Sequence, residues 1–313
     1  MILTVTLNTA LDITCRLPEI RPHRSNRLHG VTQQAGGKGV NVSRVLAAMG
    51  RATVVTGLAG GTTGQAVRAD LAECGLRDEL VDVAGETRRT MAVVDDRDVT
   101  MLLEPGPVIS GPEWHTFLEH YERLSARASV VVLSGSLPPG LPDDSYGTLI
   151  DRARAHGVPA VLDADGPALL NALPAGPALV KPNASELTEA TGIQDPLGAA
   201  QKLRAAGAAA VVASLGPDGM LACTDAGNWR ARPSTGLTGN PTGAGDSAVA
   251  ALALGLAAGR PWPERLRHAT ALSAATVLAP RAGRFDADAY DRLLDSVRVD
   301  VLDPPHPQGE PCP

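Results

Sequence analysis

The sequence predicts an α/β protein built on a mostly parallel β-sheet with helices on both faces. Three observations point there. Strand-length runs rich in Val and Leu recur along the chain, helix-length segments separate them, and aromatic residues amount to only 3%. A core so poor in aromatics is built from Ala, Val and Leu, which suits helices stacked on a Val-rich sheet. Continuous rather than alternating apolar strands are buried on both faces, and their alternation with helices is the pattern of a parallel sheet. With 313 residues and 44% hydrophobic content, the chain can bury one large core or two small ones.

Taken in order, ILTVTL (2–7) is the first strand, and 39–50 places apolar residues three and four apart, the spacing of one helix face. ATVVTGLAG (52–60) is the next apolar strand, followed by helix-like 62–75. SVVVLSG (129–135), helix-like 143–156, PAVLDAD (159–165), ALVKPN (178–183), helix-like 196–206 and AAVVASLG (209–216) continue the alternation. Two stretches break it. Residues 12–35 and 86–104 hold more polar strand-like runs, DITCRL and RRTMAVVDDRDVTMLLE, with no convincing helix inside either. They predict an antiparallel flap whose pieces, remote in sequence, pair with each other. The Pro-rich end, DPPHPQGEPCP, predicts a disordered tail over 298–313.

The formal net charge of −6 and the absence of a basic block exclude a nucleic-acid binder, whose affinity rests on clustered Lys and Arg. Lysine is scarce: Lys38, Lys181 and Lys202 are the only three among 28 Lys and Arg residues. Cys15, Cys74, Cys223 and Cys312 are far apart, with no metal-ligand spacing, and read as isolated thiols of a cytoplasmic protein. The N-terminus opens directly on a strand pattern, without the basic and apolar regions of a signal peptide. The apolar run from Ala248 to Gly259 is too short to span a bilayer, so no membrane association is expected. His115, His120, His156 and His268 lack acid or Ser partners at telling positions and read as surface or packing residues.

Chemistry concentrates in NPTGAGDSAVAALALG (240–255). If Gly243 to Gly245 make a turn and a helix runs from Ser247, the bare amides of the first helical turn share space with the Asp246 carboxylate. That is an anion site with a base beside it, as phosphoryl transfer needs: amides for the charge, a carboxylate for the proton of the attacking hydroxyl. Asp246 as a plain helix cap is the competing structural reading. GAGDSA also satisfies a dinucleotide fingerprint, but the preceding RPSTGLTGNPT is no buried strand. AGGKGVN (35–41) is no Walker A loop, since Gly39 follows Lys38 where Ser or Thr should hold magnesium.

AGGKGVNVSRVLAAMG (35–50) and NPTGAGDS (240–247) together resemble the two signatures of the PfkB sugar-kinase family. LNTALD (7–12), GETR (85–88), EPGP (104–107), SGSLPPGLP (134–142), VKPNASEL (180–187) and SLGPDG (214–219) fit the family in order, so the resemblance spans 1–297. It implies a ribokinase-like three-layer α/β/α fold, with the flap as a small β-sheet lid that often also makes a homodimer contact. LNTALD, EPGP and SGSLPPGLP resemble most the subgroup of 1-phosphofructokinases and tagatose-6-phosphate kinases.

The resemblance implies that Asp246 is the catalytic base and that the amides of Gly243, Ala244 and Gly245 form the anion hole. Asp12, Gly37 and Asn41 would hold sugar hydroxyls. A phosphate at the far end of the sugar needs a cation, for which Lys38 and Arg88 are candidates and Arg27 a weaker third. Ser214, Gly216 and Gly219 would line the ATP pocket and Lys181 would lie beside its phosphates. Asn183 and Glu186 would organise Mg²⁺ through water, although Asn-x-x-Glu is equally a helix capping box. An ordinary Asp, with a pKa of about 3.9, is a weak base at neutral pH, so positioning should outweigh basicity.

The implied activity is ATP-dependent phosphorylation of tagatose 6-phosphate, fructose 1-phosphate or fructose 6-phosphate to the 1,6-bisphosphate. Many 1-phosphofructokinases resemble Thr-Arg-Ile-Asn-Val-Lys where this chain has TRRTMA (87–92), with Thr90 for the Asn and Ala92 for the Lys. That leans toward tagatose 6-phosphate. A kinase of an unphosphorylated sugar or nucleoside on the same fold is the alternative, and a silent sugar-phosphate sensor a third reading.

Overall fold

The computed structural model describes residues 1–233, 239–279 and 282–303. Its strands are β1 (Ile2–Thr6), β2 (Ala10–Arg16), β3 (Gly30–Gly36), β4 (Thr53–Ala59), β5 (Arg77–Asp82), β6 (Arg88–Val94), β7 (Val99–Leu103), β8 (Val130–Ser134), β9 (Ala160–Asp163), β10 (Leu179–Val180), β11 (Val211–Ser214), β12 (Met220–Thr224), β13 (Gly227–Arg232) and β14 (Arg298–Asp303). The helices are α1 (Lys38–Ala48), α2 (Gly61–Glu73), α3 (Gly111–Ser125), α4 (Ser145–Ala155), α5 (Gly166–Ala172), α6 (Ala184–Thr191), α7 (Pro196–Ala205), α8 (Ala244–Ala257), α9 (Trp262–Val277) and α10 (Ala287–Ser296).

Ten strands form one sheet in the order β14-β13-β12-β11-β10-β9-β8-β1-β4-β5. The strands from β11 to β5 run parallel, and β12, β13 and β14 close the other edge antiparallel. Strand alternation sorts the side chains into two cores. Leu3 and Val5 of β1 join Phe117, Tyr121, Tyr146 and Leu149 under α3 and α4, while Ile2 packs with the buried faces of α1, α8 and α9. Val42, Val45 and Leu46 of α1 are fully buried. Each such side chain contributes about 1.5–3 kcal/mol, which fixes the start of α1 against the carboxyl end of β1.

The four remaining strands make a separate sheet, β3-β2-β6-β7, in which β2 pairs parallel with β6 and the outer pairs are antiparallel. The polar runs of the predicted flap therefore do find each other, and Leu11 and Ala35 root the sheet against Val67 and Leu71 of α2.

Two boundaries differ from the sequence reading. Residues 298–303 are not tail: β14 extends the main sheet by pairing antiparallel with β13, and only 304–313 lie outside the described residues. The strand RVDVLD alternates apolar and polar residues at a sheet edge, a signal that the following prolines obscured. Helix α8 starts at Ala244 rather than Ser247, because Gly243 takes a left-handed conformation (φ 85°) and turns the chain into the helix earlier. Among the described residues no helix is long and apolar enough to cross a membrane.

Candidate active site

A cleft of about 910 Å³ opens at the carboxyl ends of β9, β10 and β11, where ligands of open α/β sheets bind. Lys38, from the start of α1, and Asp246, from the first turn of α8, both line it. Two segments some 200 residues apart in the sequence thus meet, and Asn41 Nδ2 donates to Asp246 Oδ2 at 2.8 Å across the join.

The turn ahead of α8 is built locally. Asn240 Oδ1 accepts from the Thr242 amide at 3.0 Å, and Gly243 follows in its left-handed conformation. The Ala244 amide, expected to be free, donates to the Pro241 carbonyl at 3.1 Å and so closes the turn. The amides of Gly243, Gly245 and Asp246 find no acceptor among the described residues, so of the three amides the sequence suggested only that of Ala244 is spent, and that of Asp246 joins the open set. Asp246 itself is buried. Burial first, and then the Asp163 carboxylate, push its pKa up to about 7, against the Asn41 hydrogen bond and the charges of Lys38 and Lys181. The ordinary value assumed from the sequence does not hold here, since the Asp246 carboxyl titrates near neutral pH.

Asp163, the last residue of β9, is 2% exposed and lies 3.6 Å from Lys38 Nζ and 3.3 Å from Lys181 Nζ. Burial lowers the Lys38 pKa, but the carboxylates of Asp163, Glu186, Asp246 and Asp165 outweigh it and hold the ammonium above its ordinary range. Sequence reasoning missed Asp163. Its signal was present in PAVLDAD, where a carboxylate ends an apolar strand at the sheet's ligand-binding edge.

Lys181, Asn183, Glu186, Ser214, Gly216 and Gly219 line the same cleft, and Lys181 reaches the start of α8, where a Cβ on Gly245 would stand 3.5 Å from its Nζ. Gly219 is tightly constrained, since at φ 84° a Cβ would stand 2.0 Å from the Ala231 carbonyl oxygen. Asn183 and Glu186 do form a capping box on α6: Asn183 Oδ1 accepts from the Glu186 amide at 2.9 Å, and the Asn183 amide donates to Glu186 Oε2 at 2.8 Å. Glu186 also lines the cleft, and its other carboxylate oxygen has no hydrogen-bond partner among the described residues. No group of three or more His, Cys, Asp or Glu residues suited to a metal ion occurs among the described residues.

The small sheet supplies the rest. Asp12 of β2 is largely buried, which raises its pKa; the Thr90 hydroxyl, which hydrogen-bonds its carboxylate, and the charges of Arg88 and Arg44 offset part of this. A Cβ on Gly36 would overlap that carboxylate, and one on Gly37 would stand 2.6 Å from the Thr6 methyl, so glycines let the β3–α1 link pass. Arg88 opens β6 and lines a second cavity of about 600 Å³ with Asn8, Glu104, Ser136 and Asp143, none of them singled out from the sequence. Its Nε donates to the Asn8 carbonyl at 3.1 Å.

Two cations depart from expectation. Lys38 lines the larger cleft, not the Arg88 cavity. Arg27 sits in the exposed β2–β3 loop beyond the Arg16–Gly30 pair, while Asp12 pairs with Gln34 nearer the other end of the ladder. Four residues of strand put the start of that loop about 13 Å past Asp12, and Arg27 lines neither of the two cavities.

Several solved structures share this fold. The phosphofructokinase-2 of Escherichia coli, crystallised with potassium, superimposes with a TM-score of 0.89 at 30% identity, over 94% of this chain and 98% of that one. A possible 1-phosphofructokinase from Thermotoga maritima gives 0.87 at 26% identity, over 96% and 99%. Arabidopsis thaliana ribokinase, complexed with ribose and ATP, shares the fold at a TM-score of 0.76 and 21% identity, over 94% and 98%. A family model described as pfkB family carbohydrate kinase matches residues 5–288, and a match of that extent means that the chain belongs to the pfkB family of carbohydrate kinases, with a ribokinase-like fold.

Proposed function

We propose that this carbohydrate kinase moves the γ-phosphoryl group of ATP to a hydroxyl of a phosphorylated ketohexose, giving a 1,6-bisphosphate. One observation carries the reading: Asp246 lies at the open start of α8, bonded to Asn41, in one cleft with Lys38 and Lys181. Asp246 takes the proton of the attacking hydroxyl, and a pKa near 7 lets it do so at neutral pH. The Gly245 and Asp246 amides and the Lys38 ammonium face the charge that develops on the transferred group. Asn41 fixes the base, and Asp12 and Gly37 border the sugar. Lys181, Ser214, Gly216 and Gly219 bound the nucleotide.

The residues fit Mg²⁺ held through water and phosphate oxygens rather than in a protein cage. Glu186 offers one carboxylate oxygen without a partner among the described residues, whereas Asn183 Oδ1 already accepts from the Glu186 amide and the Ser185 hydroxyl. When bound, the ion would neutralise phosphate charge.

Arg88 is the cation for the sugar's own phosphate, because it is half-buried at a cavity apart from the nucleotide cleft. The E. coli phosphofructokinase-2 has been solved with fructose 6-phosphate, which supports this substrate class. A coupled kinase screen over fructose 1-phosphate, fructose 6-phosphate, tagatose 6-phosphate and free ketoses tests the proposal. Turnover confined to free sugars or nucleosides would refute it.

The small sheet also serves as a homodimer contact. Val99, Met101 and Leu103 lie on the sheet face that carries Asp12 and are 45–65% exposed, more apolar surface than an isolated edge strand tolerates.

A further inference from the structure

The segment Val83–Thr87, which leads from β5 into β6, is gripped by the starts of two helices. Glu86 occupies the N-terminus of α2: its Oε1 accepts from the Thr63 amide at 2.6 Å and the Thr62 hydroxyl at 3.0 Å, and its Oε2 from the Thr62 amide at 3.3 Å. A Cβ on Gly61 would stand 1.9 Å from Glu86 Oε2, so glycine there admits the carboxylate. Thr87 continues the clasp, its Oγ1 accepting from the Gly60 amide and its own amide donating to the Gly60 carbonyl, both at 2.9 Å. From the other side the Ala84 amide donates to Glu113 Oε1 at 2.7 Å, and Glu113 is the capping-box residue of α3. The hydrogen bonds from Thr63 and then Thr62 hold the Glu86 carboxyl down at about 2, so it is ionised throughout the neutral range. The next residue after this clasp is Arg88.

We infer that Glu86 is a positioning residue for the sugar phosphate: it latches the root of β6 to α2 and thereby aims Arg88 into the 600 Å³ cavity. The inference deepens the reading of Arg88 given above and rests on it. Glu86 lines neither cavity, so its influence passes through the backbone. A helix N-terminus is a ready anion site, and here the chain fills it with its own carboxylate instead of a ligand. Beyond the latch, β6 and β7 are backed mainly by each other and β2, so the direction of Arg88 depends on where the strand is pinned.

Steady-state kinetics of Glu86→Ala, Arg88→Ala and the double variant test this. E86A is expected to raise the sugar-phosphate KM about three- to ten-fold, with kcat within about two-fold and the ATP KM unchanged. Adding E86A to R88A should cost nothing further, because the latch acts only through Arg88. Formate should restore the E86A KM where chloride at equal ionic strength does not, since a small carboxylate fits the vacated helix start. Rescue separates a lost latch from general misfolding. An unchanged KM in E86A, full additivity with R88A, or failure of formate overturns the latch. An unchanged KM in R88A overturns the Arg88 assignment itself and the latch with it.

Discussion

Replacing Asp246 by Asn should make the protein more stable and nearly inactive, and the size of the stability gain follows from the burial of this carboxylate. The folded chain raises the Asp246 pKa from 3.8 to about 7. Between those values the folded state keeps a proton that the unfolded state has lost, so stability falls as pH rises through this window and levels off above it. Each pH unit is worth about 1.4 kcal/mol, so the wild type loses on the order of 4 kcal/mol that the Asn variant keeps. The Asn carbonyl oxygen can still accept from Asn41 Nδ2, so the variant retains the contact between α1 and α8. Urea unfolding of both proteins at pH 5, 6, 7 and 8 gives a difference curve from which other titrating groups cancel. The curve should climb in favour of the variant toward pH 7 and then flatten. A flat curve, or one that favours the wild type at alkaline pH, would show that Asp246 is not held largely protonated by its surroundings. In the wild type the same group predicts kcat/KM rising with pH around a midpoint near 7, and the variant should lose about 10²- to 10⁴-fold in kcat.

Arg88→Ala should raise KM for phosphorylated sugars by about 10- to 100-fold while sparing free ketoses, whereas Lys38→Ala should lower kcat on any substrate, as parallel steady-state assays will show. Gly243→Ala forces a Cβ into the left-handed region, 3.0 Å from Ala282 Cα. It should cost about 1–2 kcal/mol in a denaturant melt, together with activity, because the same turn presents the α8 amides. Met101→Asp on the exposed sheet face should convert a dimer to a monomer in sedimentation or light scattering; a species of unchanged mass would remove this face from the interface.

The parallel half of the fold was legible because buried strands write their pattern continuously: β1, β4, β8, β9 and β11 all coincide with Val- or Leu-rich runs. The antiparallel edge was not, since β13 and β14 interleave their apolar residues with Arg, Asn and Asp and so write no continuous apolar run. At the site, the glycine-rich turn before α8 pointed to Gly243, while Gly37 was named only through the resemblance of AGGKGVN to a family signature; the structure adds the reason for glycine at both, a left-handed or otherwise positive φ. Partnerships could not. That Ala244 spends its amide on Pro241, that Lys38 lines the larger cleft and not the Arg88 cavity, and that Arg27 falls in the exposed β2–β3 loop are facts of three-dimensional register. Asp163 was the costliest omission, because a strand-end carboxylate looks the same in sequence whether it faces solvent or two lysines.

With burial as the larger cause, Asp163 helps explain how one cleft can hold a carboxyl that titrates near neutrality beside two ammonium groups. Lys38 and Lys181 alone would favour the charged form of Asp246; the buried Asp163 carboxylate between them opposes that and helps keep Asp246 half-protonated at pH 7. Its removal therefore has two consequences of different kinds. Asp163→Asn strips Lys181, only 4% exposed, of its ionic partner, and breaking a buried pair in this way costs about 3–5 kcal/mol. It also takes away the charge that raises Asp246, so the kcat/KM midpoint should move to lower pH in whatever enzyme remains folded. Global destabilisation alone would lower the amplitude of the pH profile and leave its midpoint in place. A midpoint that stays near 7 in the Asn variant would mean that burial sets the Asp246 pKa without help from Asp163.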